Sequence, residues 1–480
     1  MFFSTQQEPQ LFGRRKLTAT PPLILDKTSI VGILKDVLPI HFENSAAIDK
    51  LYKFYCGDQP ILQRTKEIRP EIKNIVLENR AFEVVEFKKG FEFSHPLQYT
   101  NASMNDSAPV DVINTYARVD SKESKDLELA EWFFIAGTAY RLCLPNRFPT
   151  VDEAPYFTEV MDPRHTFVVY SNAVGHKPLM AGSYVKHTID NKDTWIYGVY
   201  TETDYYTWTI ENEIDGFDKA ESTQEPNTLG MIPIVEYPVN KSRLGYVELC
   251  YHLYNAINNI GSNRVDGVEQ FVQALLVFIN CELPTDPDDA SGETKMVPKS
   301  GDAIDVKGSP GLAADVKYLI AQLDQEQTQV TKEDLLNAVY EICGVPSRKD
   351  RQGGGDTGQA VVLRDGWGAA EARAKSTEKI FRKSEIEYLK IVLRICRDIP
   401  AAAEEIKDLT LRDIAISFTR NRNDNMLVKS QTLETLVRVG VNGEDAFEVC
   451  ELFSDPTAVY LKSKKEPLVE DGFSMPVVQA

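Results

Sequence analysis

The sequence predicts an α+β protein in which a sheet and very long helices occupy different parts of the chain. Residues 156–237 alternate with a period of two and are rich in aromatic and β-branched side chains, which is typical of an antiparallel sheet. Residues 245–280 and 357–397 each carry apolar residues at spacings of three and four, which is typical of one long helix. Residues 281–321 contain four prolines and four glycines, and we expect them to form a small module between two helices.

The composition indicates a protein with more than one packed subdomain. A chain of 480 residues with 42% hydrophobic content exceeds what one core usually supports. The net charge of −19 argues against a general nucleic-acid coat, although an acidic wall allows DNA to slide past without sticking. Seven scattered cysteines without a C-x-x-C pair favour a reducing compartment over a disulfide framework.

The start of the chain predicts neither a signal peptide nor a membrane anchor. Residues 1–16 are polar and carry Arg14-Arg15-Lys16 without an apolar stretch. The longest apolar run, residues 271–279, is too short to span a bilayer. We therefore expect a cytosolic protein with no membrane partner.

Shorter elements precede and follow the predicted sheet. A helix is expected to end at Gly57, and residues 82–87 and 91–93 read as a hairpin turning at Lys88-Lys89-Gly90. After the long helices, residues 409–418 alternate as a strand. Helical patterns follow at 426–437 and 445–452, and residues 456–480 read as a loose tail.

A basic, glycine-rich loop follows the predicted helix 331–343 and Gly344-Val345-Pro346. It contains Arg348, Lys349, Arg351 and Gln352, and then Gly353, Gly354 and Gly355. Its glycine spacing resembles that of a nucleotide-binding P-loop, but Gln359 stands where a lysine must bind phosphate and Ala360 where a hydroxyl must bind magnesium. Two interpretations stay open: a flexible linker, or a loop whose basic side chains contact a DNA backbone without reading sequence.

Two further glycines, Gly366 and Gly368, flank Trp367 near the start of the last long helical pattern. Glycine inside a helix costs about 1 kcal/mol relative to alanine, so we predict a bend or hinge there. Together with the three loop glycines they would allow the loop end of this helix to move.

The sequence predicts neither an enzyme nor a metal or cofactor site. Its six histidines lack metal-binding spacing, and no nucleophile elbow or catalytic triad order is present. Asp286, Asp288 and Asp289 resemble the start of a calcium loop, but the glycine and glutamate required later in the loop are missing. Glu371–Lys375 and Glu378–Arg382 have the spacing of ion pairs on a helix surface.

The order of these segments resembles the portal proteins of tailed bacteriophages, in particular the SPP1-type siphovirus family. The resemblance covers residues 45–450 and rests on an ordered set of stretches rather than on one motif. Those stretches are Met161 to Tyr170, Gly230 to Tyr237, Leu253 to Asn258, Ser262 to Asp266, Thr357-Gly358-Gln359-Ala360 and Ile416-Ser417-Phe418. One departure is Asn255, where the family pattern has an aspartate.

The resemblance implies a portal-type fold made of several named parts. It has an α/β wing, a two-helix stem, a small α/β clip, a long kinked helix and a helical C-terminal crown. The ranges are the wing (1–244), first stem helix (245–280), clip (281–321), second stem helix (322–344), tunnel loop (345–356), long hinged helix (357–397), wing return (398–435), and crown with C-terminal tail (436–480).

The resemblance also implies a function and a set of partners. The protein would form a ring of about a dozen subunits at one capsid vertex, with double-stranded DNA passing the tunnel loop. The acidic clip residues Asp286, Asp288, Asp289 and Glu293 would dock the terminase large subunit and later a head-completion adaptor. Scaffolding and major capsid proteins would be further partners, in the host cytoplasm during assembly and then in the virion. A head–tail adaptor or other capsid-assembly protein without a DNA role is the alternative, and such a protein has no need of the three basic loop residues.

Overall fold

The structure is a computed structural model that divides the chain into two compact units. It describes residues 12–67, 70–102, 108–189, 192–210, 216–218, 220–272, 275–279, 281–282, 307–308, 315–319, 325–346, 366–420, 426–450, 452, 459–460 and 463. The first unit comprises Met1–Asp58, Asn79–Tyr251 and Val339–Ala480, and the second comprises Gln59–Glu78 and His252–Ala338.

Helices and strands both contribute substantially, which confirms the mixed class. The helices are α1 (Lys27–Cys56), α2 (Arg80–Glu92), α3 (Ala108–Val119), α4 (Lys122–Ala136), α5 (Tyr246–Leu249), α6 (Tyr251–Val272), α7 (Gln325–Cys343), α8 (Trp367–Asp398), α9 (Glu404–Lys407), α10 (Met426–Val439) and α11 (Gly443–Cys450). The strands are β1 (Leu17–Ala19), β2 (Gln98–Asn101), β3 (Thr138–Pro145), β4 (Tyr156–Met161), β5 (Thr166–Ser171), β6 (Pro178–Ile189), β7 (Lys192–Tyr200), β8 (Asp204–Ile210), β9 (Glu221–Pro226), β10 (Ile234–Pro238), β11 (Leu275–Ile279), β12 (Cys281–Glu282), β13 (Lys307–Gly308), β14 (Asp315–Leu319) and β15 (Ile414–Ser417).

The largest sheet lies where the period of two predicts it. Its strand order is β1-β5-β6-β7-β8-β9, antiparallel except for the parallel pair of β1 and β5. One face buries Phe167, Tyr197 and Trp208 in the same core as Ile30 and Leu34 of α1. Burial of large aromatic side chains on alternate positions holds this sheet against the helix.

Two smaller sheets complete the strands of the first unit. A three-stranded sheet has the order β10-β3-β4, and β15 pairs with β2. The pairing of β15 confirms the strand expected within residues 409–418. It brings a segment near the end of the chain beside residues 98–101.

Helix α2 replaces the hairpin expected at residues 82–93, so that prediction was wrong. Asn79 caps the helix by accepting a hydrogen bond from the Phe82 N–H at 3.3 Å. The buried positions follow a helical period but include the charged Lys88 and Glu92. Two charges on the inward face hide the amphipathic pattern and make Lys88-Lys89-Gly90 look like a turn.

In the second unit, α6 holds an extended segment along its side through polar side chains spaced four residues apart. Asn258 accepts the backbone N–H of Glu78 at 2.8 Å, Ser262 that of Val76 at 3.0 Å, and Asp266 that of Asn74 at 2.7 Å. Four residues of an α-helix rise about 6 Å, and two residues of an extended segment span about 6.6 Å. Every fourth residue of α6 therefore lies opposite every second residue of the segment. We call Asn258, Ser262 and Asp266 the polar ladder.

The predicted helix 245–280 is divided, which corrects that prediction. Helix α5 ends at Leu249, α6 covers Tyr251–Val272, and residues 275–279 form β11, which pairs with β14. The run Leu-Leu-Val-Phe-Ile is continuously apolar and short, so periodicity alone does not distinguish a strand from a helix. The β-branched and aromatic residues favour the strand.

Helix α8 begins at Trp367, and residues 357–365 of the predicted long helix lie outside the described residues. Gly366 has a left-handed backbone (φ +84°) and directly precedes α8, and the hinge expected there stays a prediction. Gly368 lies in the first turn. The helices expected at 426–437 and 445–452 are confirmed as α10 and α11, with small shifts of their ends.

Candidate functional site

The structure describes the first two residues of the predicted tunnel loop, Val345 and Pro346, and then the chain from Gly366 onwards. The DNA-facing residues Arg348, Lys349, Arg351 and Gln352 and the glycines Gly353, Gly354 and Gly355 lie outside the described residues, as do Asp286, Asp288, Asp289 and Glu293 of the clip. The described flanks are Gly344–Pro346 and Gly366–Ala374, which we call the loop base.

The loop base begins with a glycine that no other residue replaces easily. Gly344 has φ +64°, and its N–H and that of Val345 donate to carbonyls of the last turn of α7, Glu341 O at 3.3 Å and Tyr340 O at 2.8 Å. A Cβ on Gly344 would lie 2.4 Å from Cδ of Arg373. The Arg373 guanidinium donates to the Ile342 carbonyl and so covers the end of the helix.

The two ends of the loop meet. A Cβ built on Gly366 would lie 3.8 Å from the Cα of Pro346. The residues that flank positions 347–365 therefore lie side by side.

Aromatic packing anchors the returning chain to α2. The ring of Trp367 lies 6.0 Å from that of Phe87 and 5.8 Å from that of Phe91. Ala370 and Ala374, one and two turns further along α8, are buried against Phe91. Their small side chains pack on the Phe91 ring, so the loop base is part of a packed core.

Charged side chains lie beside this aromatic contact. Lys88 of α2 is fully buried, with its Nζ 3.6 Å from Glu92. Burial lowers the pKa of Lys88 and raises the pKa of Glu92 to about 7. Arg420 pairs with Glu371 at 2.9 Å and also with Glu378, which ties the segment after β15 to the first half of α8.

The second half of α8 carries a fully buried carboxylate, Glu385. It accepts hydrogen bonds from Tyr99 at 2.6 Å and Tyr237 at 2.8 Å, and it pairs with Lys122 at 2.8 Å and Arg141 at 3.4 Å. Burial alone would raise the pKa of Glu385, but Lys122 and Arg141 outweigh it and lower the pKa to about 2. Asp126 of α4 also pairs with both cations. The network fixes α8 to α4, β2, β3 and β10.

A family model described as "Phage portal protein, SPP1 Gp6-like" matches residues 34–466. That range contains the loop base, the polar ladder and the buried Glu385 network. The chain belongs to this portal protein family. Proteins of the family are structural rather than catalytic, and the function of the chain is that of a portal protein at the capsid vertex. The resemblance identified from the ordered sequence stretches is thereby confirmed.

Solved structures with similarity to this portal protein come from gene transfer agent particles. One is a chain of "Neck of empty GTA particle computed with C6 symmetry", 13% identical, covering 78% of this chain and 90% of that one, with a TM-score of 0.41. Another is a chain of "Virion of native gene transfer agent (GTA) particle", 11% identical, covering 85% and 93%, with a TM-score of 0.38. No curated protein matches the chain.

Sequence reasoning missed the buried ionic groups of this portal protein. The i,i+4 pairs Glu371–Lys375 and Glu378–Arg382 form as predicted. Glu385 lies on the same helix and looks equally like a surface residue from its neighbours. Its partners come from residues far away in sequence, so no local pattern reveals them. Arg141 in the centre of an apolar strand was the available signal, because a buried cation requires an acidic partner.

Two further findings concern metals and membranes. Within the described residues, no group of three or more His, Cys, Asp or Glu side chains is arranged to hold a metal ion. Over the same part of the chain, every helix is too short or too polar to cross a bilayer.

Proposed function

We propose that this portal protein forms a closed ring of about a dozen subunits at the unique capsid vertex. Each subunit would contact the next through a heterologous (head-to-tail) interface, and the rotation from one subunit to the next would close the ring. Double-stranded DNA passes through its central channel during packaging, is retained there, and leaves by the same route. The ring belongs to the virion and assembles in the host cytoplasm. Family membership over residues 34–466 supports this proposal.

The parts of the ring follow the order of the chain. Residues 1–244 and 398–435 form the wing, 245–280 and 322–344 the stem, and 281–321 the clip. Residues 345–356 form the tunnel loop, 357–397 the long helix, and 436–480 the crown and tail. The corrected element boundaries change this assignment at one point, since residues 275–279 belong to a strand pair rather than to the stem helix.

The tunnel loop contacts the DNA backbone as the duplex moves. Arg348, Lys349 and Arg351 provide positive charge, and Gln352 a neutral hydrogen-bonding group, for contacts with phosphates that carry no sequence information. The observation that carries this proposal is the closed loop base, where Pro346 and Gly366 meet beside a packed aromatic contact. A fixed base allows the loop to respond to the duplex without disturbing the helices that support it.

The clip docks the partners of the channel. Asp286, Asp288, Asp289 and Glu293 give it an acidic surface for the terminase large subunit and, after packaging, for a head-completion adaptor. Scaffolding and major capsid proteins surround the ring in the shell. ATP hydrolysis belongs to the terminase, in agreement with Gln359 and Ala360 at the positions that a P-loop requires for phosphate and magnesium.

Charge reversal of the loop tests its assignment. In particles that carry Arg348→Glu, Lys349→Glu and Arg351→Glu together, we expect normal rings and procapsids but a reduced mass of packaged DNA. The control is Lys390→Glu with Arg394→Glu, a half-buried and an exposed cation on the far half of α8, and we expect it to package normally. Normal DNA filling in the loop variant would refute the DNA contact and leave the head–tail adaptor alternative.

A further inference from the structure

Two reduced cysteines meet in the first unit where helices enter and leave it. The Sγ atoms of Cys250 and Cys343 are 3.5 Å apart, although the residues are 93 positions apart in sequence. Cys250 is 1% exposed and Cys343 is completely buried. A disulfide bond requires about 2 Å between the sulfurs, so a movement of about 1.5 Å would join them.

The position of the pair along the chain gives it a structural consequence. Cys250 separates α5 from α6, directly before the chain passes into the second unit between Tyr251 and His252. Cys343 is the last residue of α7, which returns from the second unit between Ala338 and Val339. A bond between the two sulfurs would fasten together the outgoing and the returning chain. It would also fix the residue that precedes Gly344 of the loop base.

A buried ammonium lies beside the same pair. Lys88 is fully buried, and its Nζ has no hydrogen-bond partner among the described residues. It lies 5.0 Å from the ring centre of Tyr246 and 3.6 Å from Glu92, and burial lowers its pKa while Glu92 and the Cys343 sulfur oppose that shift. The thiolate is the form of cysteine that attacks an oxidant, and a neighbouring cation stabilises a thiolate. Lys88 therefore favours the thiolate of Cys343 against the burial of that sulfur, which by itself favours the thiol.

We propose that Cys250 and Cys343 form a redox site that closes to an intramolecular disulfide under a two-electron oxidant of the peroxide class. The Cys343 thiol loses its proton, its thiolate attacks one peroxide oxygen, and the O–O bond breaks, which gives a sulfenic acid. The departing hydroxide takes up the proton that the thiol lost and becomes water. The Cys250 thiol then attacks that sulfur, the S–O bond breaks, and water leaves with the thiol proton. Two thiols are oxidised and one peroxide is reduced to two waters.

This site distinguishes the reducing interior of a cell from the oxidising medium outside it. The dithiol persists where thiols are kept reduced, and the disulfide forms where they are not. Reduction reopens it, because a disulfide is reversible whereas higher sulfur oxides are not. The proposal does not depend on the DNA contact proposed for the tunnel loop.

The test uses the full-length purified protein. After treatment with hydrogen peroxide, thiols are blocked with N-ethylmaleimide, and the unreduced protein is digested and analysed by mass spectrometry. We expect a crosslinked peptide pair containing Cys250 and Cys343, a loss of two blockable thiols, and full recovery with dithiothreitol. Cys250→Ala and Cys343→Ala should each abolish the crosslink, whereas Cys56→Ala, which removes an exposed cysteine, should leave it unchanged.

A second arm measures the role of Lys88. Lys88→Met keeps the length of the side chain and removes its charge, and we expect closure to slow at least several-fold, with the rate recovering at higher pH. If Lys88→Met does not fold, the rate of disulfide closure in the unmodified chain is measured as a function of pH instead. The proposal is overturned if peroxide oxidises Cys56 while Cys250 and Cys343 stay reduced, or if they form bonds only with other cysteines or other subunits.

Discussion

Pro346 and Gly366 lie side by side, with the Cα of Pro346 3.8 Å from the Cβ position of Gly366. The chain between them therefore starts and finishes at one place, which rests on Phe87, Phe91 and Trp367. Rigid helices support this place from both sides, since α7 ends just before it and α8 starts just after it. Functional segments that must adapt to a ligand are commonly carried by such scaffolds.

The first prediction concerns the glycine that ends α7. Gly344→Ala should lower the free energy of unfolding by about 1–2 kcal/mol, because alanine is strained at a positive φ and its Cβ would displace Arg373. The measurement is chemical denaturation. Gly368→Ala is the matched control, since a Cβ at Gly368 meets nothing within 4 Å, and we expect no loss of stability there. Equal losses in both variants would contradict the proposed packing of the loop base.

The second prediction concerns the buried carboxylate of α8. Glu385→Gln keeps the shape but removes a charge that faces Lys122 and Arg141, so we expect a loss of about 3 kcal/mol in the free energy of unfolding. Glu387→Gln, on the exposed side of the same helix where Glu387 pairs with Lys390, should change it by less than about 0.5 kcal/mol. An equally mild effect of both substitutions would show that the network does not stabilise the fold.

The third prediction is the pH dependence of the same group. The pKa of Glu385 is lowered to about 2 from an ordinary value of 4.5. Its contribution to stability is therefore complete above about pH 4.5 and is lost as the pH falls from there towards 2. Acid unfolding followed by circular dichroism should show a steeper decline over this range in the unmodified chain than in Glu385→Gln. Parallel curves would contradict the assignment.

The fourth prediction uses the polar ladder as a local probe. Asp266→Ala should remove the acceptor of the Asn74 N–H and leave Arg64 and Lys66 without their shared carboxylate, at a cost of about 3 kcal/mol. Ser262→Ala removes one neutral acceptor and should cost about 1 kcal/mol.

Hydrogen exchange distinguishes the two variants of the ladder. Exchange should accelerate first at the Asn74 amide in Asp266→Ala, and first at the Val76 amide in Ser262→Ala. Equal acceleration of exchange at both amides in both variants would mean that Asp266 and Ser262 do not each hold their own backbone N–H group.

Elements with a regular hydrophobic period could be predicted from the sequence, whereas a helix with buried charges could not. The alternation of residues 156–237 predicts the large sheet, and the strand at residues 414–417 was also found. Helix α2 was missed because Lys88 and Glu92 point inward, and β11 was missed because its apolar run fits either period. The first error comes from tertiary environment, which a local pattern does not record, and the second from an ambiguous period that the β-branched and aromatic residues of β11 resolve in favour of the strand.

The loop base shows the same limit for the candidate site. The helix predicted over residues 331–343 does end at Cys343, and the left-handed Gly344 that follows its last turn is a local requirement. Pro346 and Gly366 approach each other although they are distant in sequence, and no sequence pattern between them predicts this contact. The hinge expected at Gly366 stays a prediction, because the residues before it lie outside the described part of the chain.

The central claim is that this chain assembles as a portal ring with a central channel, and electron microscopy of the purified protein tests it most directly. Negatively stained particles across a series of salt concentrations should show closed rings of uniform subunit number, each with a stain-filled hole wide enough for a DNA duplex. Particles that remain monomeric at every salt concentration, or rings without a central opening, would contradict the claim.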